Sequence, residues 1–516
     1  MHLKMAAVVV GLLCAGACST ETIIVQKADK PGSGSPNGAS PGEADASVDP
    51  AQLPPSGGLA ADVNVAEIAV FQTVKINVVK NGAKVAKHNA SIVAGRDALV
   101  RLYITPAAGY TARSLTAELR LENGEVKKVF KDTKTLSAAS ADGALASTFN
   151  FDVPGDALTP ATTFTASVRD PATSVSAGAG GAAQYPAAGT PESLGVESDG
   201  PQLKVVVVPV KYAADGSNRV PDISAAQLEI YRQTMFTLYP AAKVEVTARA
   251  PVTFSSAINA NGSGFSRILQ SLQSLREQDR AADDVYYYGA IPPAASFGQY
   301  CGGTCVTGLS SVGDSPQDAF LRASVGIGFS GAESAITMAH ELGHAHGREH
   351  SPCGGASGPD PRYPYTGGAI GVWGYNLLSK KLIAPTTGKD VMGYCQPEWV
   401  SDFTYQALFT RMQYVNTAHG VYGAFESPRP YRYVDVAEDG AVTWGETVTL
   451  RARPWGQVHE VTYHAPDGSI VHSDQGHFYP YDHLPGGYAL VPEGPETAAG
   501  ISIKGLYGRA ISHLAR

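Results

Sequence analysis

Four histidines, with Glu341 among them, are concentrated in the segment "AHELGHAHGREHSPC", Ala339 to Cys353. His340 and His344 are four residues apart, so on a helix they share one face and lie one turn apart, as two ligands of one zinc ion require. Glu341 is offset around that helix, where it can act as general base on a zinc-bound water without binding the metal. The spacing therefore predicts hydrolysis by a metal-activated water.

Gly347 and His350 extend this pattern beyond the helix. Gly347 stands where the helix must end, because glycine tolerates the left-handed conformation that turns the chain. The turn lets His350 return as a third ligand, and three protein ligands with one open position are typical of catalytic zinc. In 516 residues with 13 histidines and 56 glycines, a chance match to H-E-x-x-H-x-x-G-x-x-H is below about one in ten thousand. His346 lies off the ligand face and is expected behind the ligands or at the surface.

Strands alternating with helices precede the histidine segment and must position it. The predicted strands are "LKVVVVPV", "AKVEVTA", "DVYYYGAI" and "RASVGIGFS". Ser224 and Gln227 form a capping box at the start of the first helix. A second helix carries one apolar stripe that contains Phe265, Ile268, Leu269, Leu272 and Leu275. A last helix capped by Ser401 would close this α/β unit.

Both flanks of this unit show the alternation of β structure, so the expected fold class is α+β. The predicted organisation is a β-sandwich at 63–175, a linker at 176–200, the catalytic domain at 201–422 and an Ig-like β domain at 428–516. Five histidines of the last domain follow no helical ligand spacing: His459, His464, His472, His477 and His483. They are interpreted as surface or strand residues, with a second metal site as the alternative.

Residues 1–18 begin with a short segment that contains Lys4, followed by an apolar run from Met5 to Ala17. This run is too short to span a membrane, which needs about 20 residues, so residues 1–18 are predicted to be a secretory signal. They end in "AGAC", which resembles a lipoprotein signal with Cys18 as the lipid-modified residue; ordinary signal-peptidase cleavage is the alternative. Residues 19–62 are predicted to be a disordered linker. The protein is therefore expected to be exported, either as an outer-membrane lipoprotein of the bacterial cell envelope or in secreted form.

The cysteine positions and the net charge limit the expected cysteine chemistry and the expected class of partner. Cys301, Cys305, Cys353 and Cys395 all lie near the histidine segment, and in an exported chain two disulfides are favoured over free thiols or a thiolate metal site. Of the three connectivities, Cys301–Cys305 with Cys353–Cys395 is preferred. The net charge of −8 includes no basic block, which argues against a nucleic-acid partner. Contact with a membrane is expected only through the N-terminal lipid.

The histidine segment resembles the extended motif of the metzincin zinc endopeptidases. All five defined positions of that motif are matched, by His340, Glu341, His344, Gly347 and His350. The resemblance implies a twisted mixed sheet with helices and a zinc cleft. It also implies a methionine turn, for which "DVMGYC" is well placed, with Met392 as the floor beneath the ligands.

Tyr394 follows Met392 by two residues, the spacing at which the astacin and serralysin branches have a tyrosine that binds zinc and stabilises the oxyanion. The alternative is an aromatic residue packed near the floor. The resemblance further implies that substrate lies extended beside an edge strand, for which "ASVGIGFS" is the candidate. A β domain before a large catalytic domain is also similar to the layout of secreted bacterial mucin-cleaving metalloproteases.

The implied function is a zinc metalloendopeptidase with one Zn²⁺, acting on extracellular proteins or glycoproteins. The main alternative is an adhesin or glycan-binding surface protein with a vestigial metzincin domain, since two β domains flank the core. Such a domain would usually have lost Glu341 or a ligand, and none is missing. A third possibility is an amidase or deacetylase that uses the same water chemistry on a non-protein amide.

Overall fold

A computed structural model describes residues 57–124, 126–173, 182–198, 200–313, 315–417, 424–437, 441–506 and 509–515. The predicted signal, Cys18 and most of the predicted first linker lie outside the described residues. The described part contains five α-helices and 27 strands, in agreement with the predicted α+β class. Among its helices, none is long and apolar enough to cross a membrane.

Ten strands form the N-terminal region. They are β1 Gly58–Leu59, β2 Val63–Lys80, β3 Ala83–Lys84, β4 Ala98–Pro106, β5 Arg113–Asn123, β6 Val126–Leu136, β7 Phe149–Val153, β8 Thr163–Asp170, β9 Gln184–Tyr185 and β10 Glu192–Ser193. One antiparallel sheet has the order β1-β8-β5-β6, with β9 and β10 also paired to β8.

The central region mixes strands and helices. Its helices are α1 Ala225–Leu238, α2 Phe265–Gln278, α3 Phe297–Tyr300, α4 Ala332–Ala345 and α5 Asp402–Thr417. Its strands are β11 Gln202–Tyr212, β12 Lys243–Ala248, β13 Val252–Phe254, β14 Val285–Ile291, β15 Gly308–Ser310, β16 Ala323–Ile327, β17 Gly374–Asn376, β18 Lys381–Ile383, β19 Lys389–Asp390 and β20 Glu398–Trp399.

The sheet that carries the histidine helix has the order β12-β11-β14-β16-β15, with β13 beside β11. Its strands are parallel except β15, which runs antiparallel to β16. The predicted edge strand "ASVGIGFS" was therefore wrong: it corresponds to β16, which lies between β14 and β15. The edge strand is β15, only three residues long, and so short a strand gives no apolar alternation from which to predict it.

Local capping explains where two of the helices begin. The Ser224 side chain accepts a hydrogen bond from the backbone N–H of Gln227, as predicted for the start of α1. Ser401 Oγ likewise accepts from the backbone N–H of Thr404, at 3.1 Å, at the start of α5. These caps fix the N-terminal ends of α1, which precedes the histidine segment in the sequence, and of α5, which follows it.

The N-terminal and central regions share a sheet. Its order is β18-β17-β2-β4-β7, so two strands of the central region continue an N-terminal sheet. The buried Arg96 guanidinium donates to the backbone carbonyls of Ala241 and Phe236, both at 2.6 Å. One apolar core is continuous across the two regions. The predicted domain boundaries and the sandwich arrangement stay predictions.

The C-terminal region is a single antiparallel sheet. Its strands are β21 Ala424–Val436, β22 Val442–Ala452, β23 Gln457–His464, β24 Ile470–Pro480, β25 Gly487–Pro492, β26 Gly500–Leu506 and β27 Arg509–Ala515, in the order β22-β21-β25-β24-β23-β26-β27. An Ig-like arrangement of its strands stays a prediction. This sheet packs on the central region, where Gln273 Nε2 donates to Tyr488 Oη at 2.8 Å and Tyr479 Oη donates to the Asp318 carboxylate at 2.6 Å.

The turn between β24 and β25, residues 481–486, reaches into the central region and is called the tip segment below. The backbone N–H of Tyr481 donates to the carbonyl of Gly486 at 3.2 Å, which closes the turn. On its other side Tyr481 forms an antiparallel bridge with Ser311, the residue after β15. The tip segment therefore lies against the edge of the central sheet.

Candidate metal centre

The helix α4 carries the first three residues of the motif, and all three are buried. It ends just before Gly347, which has a φ of +78°. A Cβ atom there would lie 2.4 Å from Arg411 Nη2 and 2.7 Å from the Gly313 carbonyl oxygen. Only glycine fits this left-handed position, and the turn brings His350 back towards the helix, as the sequence predicts.

Backbone carbonyls fix the tautomers of the three motif histidines. The Nδ1 atoms of His340, His344 and His350 each lie 2.6 Å from a backbone oxygen. Those oxygens belong to Val391, Arg348 and Ser357. A carbonyl oxygen only accepts, so each Nδ1 carries the hydrogen and each Nε2 keeps a free lone pair.

These lone pairs converge on one point. His340 Nε2 and His344 Nε2 are 3.0 Å apart. Burial, and then the neighbouring histidines, hold the pKa of both imidazoles well below the usual value. Burial also lowers the pKa of His350 to about 4. Neutral imidazoles with lone pairs facing each other at this distance suit a shared cation, so the residues present fit a metal ion.

Glu341 lies beside this cluster with its carboxylate buried. Burial, reinforced by the charge of Asp482, raises the pKa of Glu341 to about 8. Its Oε1 is 3.0 Å from His483 Nε2, whereas its Oε2 has no hydrogen-bond partner within the described part of the chain. The edge strand leaves room for it, because a Cβ on Gly308 would lie 2.3 Å from Oε1. The carboxylate is thus near the three motif histidines, where a general base would have to lie if they bind a metal ion.

Met392 is buried against the helix of the motif. A Cβ on Gly343 would lie 2.3 Å from Met392 Sδ, so the glycine allows the sulfur to approach the helix backbone. The Met392 carbonyl accepts from Ser351 N at 2.9 Å, which ties this segment to the loop of His350. Asp390 accepts from the Met392 backbone N–H, also at 2.9 Å. The structure thus places Met392 against Gly343, the residue before His344, while its role as the floor beneath the ligands stays a prediction.

Tyr394 lies at the rim of the cluster. The residue is 46 % exposed, but its hydroxyl is 3.2 Å from His350 Nε2 and is hydrogen-bonded to His483 Nδ1. Burial of the hydroxyl raises its pKa above the usual value, so the phenol is protonated at neutral pH. It can therefore donate a hydrogen bond at this position, while its predicted role in the reaction stays a prediction.

Both predicted disulfides are present in the structure. Cys353–Cys395 joins the loop after His350 to the residue after Tyr394. Cys301–Cys305 closes a short loop between α3 and β15. The first of these bonds links the two segments that flank the metal cluster.

His346 does not lie at the surface. Its ring stacks on Tyr286 with centroids 4.2 Å apart, and its Nδ1 donates to the Leu342 carbonyl at 2.6 Å. Burial lowers its pKa to about 3. Of the two positions considered from the sequence, the structure favours the one behind the ligands.

His483 is the residue that the sequence interpretation missed. It was expected to be a surface or strand residue, but one ring nitrogen of each of His340, His344, His350 and His483 lies within 4.8 Å of the others. Burial opposes a charge on His483, but Asp482 and Glu341 outweigh it and raise the pKa of His483 to about 9. The correction has a physical reason: the β24–β25 turn brings together residues more than 130 positions apart, and no local spacing encodes that contact.

Asp482 enters the cluster with its neighbour. Its Oδ1 accepts from the backbone N–H groups of Ser310, at 3.1 Å, and His483, at 2.8 Å. Its Oδ2 lies 3.4 Å from His344 Nε2 and has no hydrogen-bond partner among the described residues. The sequence offered no signal for Asp482, since Asp is a common residue in turns.

One of two comparisons with known proteins gave a match. Residues 321–426 match the sequence model of the family described as Peptidase M66. The matched segment contains the three motif histidines, Glu341, Met392 and Tyr394, and it leaves the tip segment outside. A search of curated proteins gave no match. Residues 321–426, which hold three of the four clustered histidines, are therefore similar to a family of metallopeptidases.

Proposed function

We propose that the chain is an exported or surface-anchored zinc metalloendopeptidase of the metzincin class, which hydrolyses peptide bonds in extracellular proteins or glycoproteins. One observation carries the proposal: three Nε2 lone pairs converge beside the buried carboxylate of Glu341. The similarity of residues 321–426 to a metallopeptidase family supports it. Met392, packed against Gly343, is proposed as the methionine of the turn beneath the ligands.

His340, His344 and His350 would hold the ion. Zinc bound there would supply a Lewis acid for the scissile carbonyl and for a water molecule. Glu341 takes a proton from the attacking water and returns it to the leaving amine nitrogen. Its burial suits it to keep that proton between the two steps, because the neutral carboxyl is favoured in a dry site.

The remaining groups of the site orient the substrate and stabilise charge. Tyr394 donates from its hydroxyl to the oxygen on which negative charge develops. The edge strand β15 offers backbone groups to an extended peptide, which would add as a further strand. Both roles need the peptide to lie between Tyr394 and β15, across the mouth of the metal cluster.

The proposed location and substrates rest on the sequence. The apolar run that ends at Cys18 and the Gly- and Pro-rich segment after it favour export with a lipid anchor or a cleaved signal. An exported peptidase meets extracellular proteins and glycoproteins. The acidic chain, with no basic block, has no feature typical of nucleic-acid binding.

The test compares the full-length protein with its Glu341→Gln and His344→Ala variants. We expect one zinc per chain in the wild type and in Glu341→Gln, and less in His344→Ala. Cleavage of a denatured protein and of a mucin-type glycoprotein should fall at least about a hundredfold in Glu341→Gln, because a general base contributes that much or more. Equal cleavage by both would exclude the role of Glu341.

The same assay distinguishes the proposed peptidase from the alternative function of an adhesin or glycan-binding protein. Zinc bound in full, without cleavage of either substrate even when the tip segment is displaced as described below, would favour the adhesin or glycan-binding protein. Cleavage of the glycoprotein alone would narrow the substrate class to glycoproteins. Absence of zinc from the wild type would remove the proposal.

A further inference from the structure

The tip segment lies where a substrate would have to bind. The backbone N–H of Ser310, on the edge strand β15, donates to Asp482 Oδ1 rather than to a peptide carbonyl. The next residue, Ser311, is bridged to Tyr481 in the antiparallel sense. An extended substrate adding to this edge would need the same backbone groups. The tip segment and a substrate therefore exclude each other at the edge strand.

The tip segment also engages the residues that would do the chemistry. His483 Nε2 is 3.0 Å from Glu341 Oε1, and its Nδ1 is hydrogen-bonded to the Tyr394 hydroxyl. The ring centroids of His340 and His350 both lie 5.0 Å from that of His483. The proposed base and the proposed oxyanion donor are thus both held by one imidazole of the tip segment.

We infer that His483 is a fourth ligand of the metal site and that the tip segment closes the site until it withdraws. The inference rests on the proposed function and adds a means of regulating it. Four protein ligands complete a tetrahedral zinc site and leave no position for water, whereas three leave one open.

Several contacts hold the tip segment in place. Leu484 packs so closely on the loop before α2 that a Cβ on Gly262 would lie 2.4 Å from Leu484 Cδ2. Gln270 Nε2, on α2, donates to Tyr481 Oη at 3.3 Å, and Ser357 Oγ donates to the Asp482 carbonyl at 3.4 Å. Such anchoring favours the closed form, so the wild-type protein should cleave peptides slowly.

The first measurement counts imidazoles by X-ray absorption in the full-length protein loaded with Co²⁺. We expect four in the wild type, and three plus one oxygen ligand in His483→Ala. The matched control is His472→Ala, the same substitution on an exposed part of β24, which should keep four. Three imidazoles and an oxygen in the wild type would overturn the inference, as would an unchanged count in His483→Ala.

A small chelating probe gives a second readout that needs no peptidase activity. Acetohydroxamate should bind the Co²⁺ form of His483→Ala at least tenfold more tightly than the wild type, because the fourth position is then open. His483→Gln retains a side chain that can hydrogen-bond Glu341, and it should behave like the alanine variant if the imidazole acts as a ligand. Equal probe affinity in all three proteins would overturn the inference.

Peptide cleavage then separates this inference from the proposed function. We expect His483→Ala to cleave a denatured protein at least tenfold faster than the wild type. If the variant binds metal and probe but cleaves slower than the wild type, His483 assists the reaction and the inhibitory role is overturned. If it binds both and neither protein cleaves any peptide, the proposed peptidase fails while the count of ligands stands.

Discussion

The metal cluster is built from two parts of the chain that differ in how they are encoded. The motif part, His340 to His350, lies on one helix and the turn after it, and backbone carbonyls orient every ring. The tip part, Asp482 and His483, comes from a turn in another sheet and is oriented by contacts with Ser310 of β15 and with Glu341 of the motif part. One half of the site is therefore positioned by local hydrogen bonds, whereas the other half is positioned only when the tip segment docks.

This difference has an energetic consequence. The three motif rings keep their positions through hydrogen bonds within residues 340–392, whether or not the C-terminal sheet is docked. His483 reaches the cluster only while the tip segment is seated. The motif part should therefore determine the affinity for the metal. The tip part should determine whether water and substrate can reach the bound metal.

The largest expected effect tests that division directly. His344→Ala should weaken zinc binding more than about a hundredfold, since loss even of a group that supports a ligand costs about ten- to a hundredfold. His483→Ala should change it by less than about tenfold, because water can take the fourth position. Competition with a chromogenic chelator measures both. A comparable loss in the two variants would break the distinction between the two parts.

The sequence predicted the motif part because its chemistry is local. A helix fixes the separation of His340 and His344, and a glycine with positive φ fixes the return of His350. The helices α1, α2 and α5 followed from apolar spacing and from the serines that cap α1 and α5. Those signals need no knowledge of distant residues.

The remaining features depend on contacts that no local pattern contains. β15 is the edge strand because β16 pairs on both sides, which only the assembled sheet decides. Two strands near residue 380 extend an N-terminal sheet, although the composition of 176–200 predicted a linker between separate domains. His483 joined the cluster for the same reason. The positions of β15, of the two strands near residue 380 and of His483 thus depend on tertiary contacts and not on local secondary-structure propensity.

The next effect concerns Glu341, the residue of the motif part that contacts His483 of the tip part. Gly308→Ala would place a Cβ 2.3 Å from Glu341 Oε1 and push the carboxylate aside. Measured in the His483→Ala background, cleavage should fall about a hundredfold with zinc content unchanged, because displacements of about 1 Å cost that much. Gly303→Ala, with open space around the added carbon, is the matched control. Unchanged cleavage in the Gly308 variant would show that Glu341 adapts.

Packing beneath the motif part gives a stability effect. Gly343→Ala would place a Cβ 2.3 Å from Met392 Sδ, and overpacking of this kind costs about 1–3 kcal/mol of unfolding free energy. Gly298→Ala, which meets no atom within 4 Å, should be nearly neutral. Denaturant unfolding measures both. Adding Met392→Ala should recover part of the loss in Gly343→Ala, and an additive double variant would show that the two side chains do not compete for space.

The smallest expected effect lies in the anchoring of the tip segment. Leu484→Ala removes the contact between a half-buried side chain of the tip segment and the loop before α2, while His483 stays in the chain. Loss of about 1 kcal/mol of docking free energy should raise the open population about fivefold. Acetohydroxamate affinity for the Co²⁺ form should rise by the same factor, below the gain in His483→Ala. Ile470→Ala, at an exposed position on β24, should leave that affinity unchanged.

The Leu484 variant distinguishes a docked insert from a fixed ligand. If His483 stays bound regardless of Leu484, probe affinity will match the wild type, and the tip would then behave as part of a permanently closed site. A graded rise from Leu484→Ala to His483→Ala instead requires an equilibrium between closed and open forms. Only that equilibrium lets a chain with four converging imidazoles act as a peptidase, because the reaction needs both a free metal position and a free edge strand.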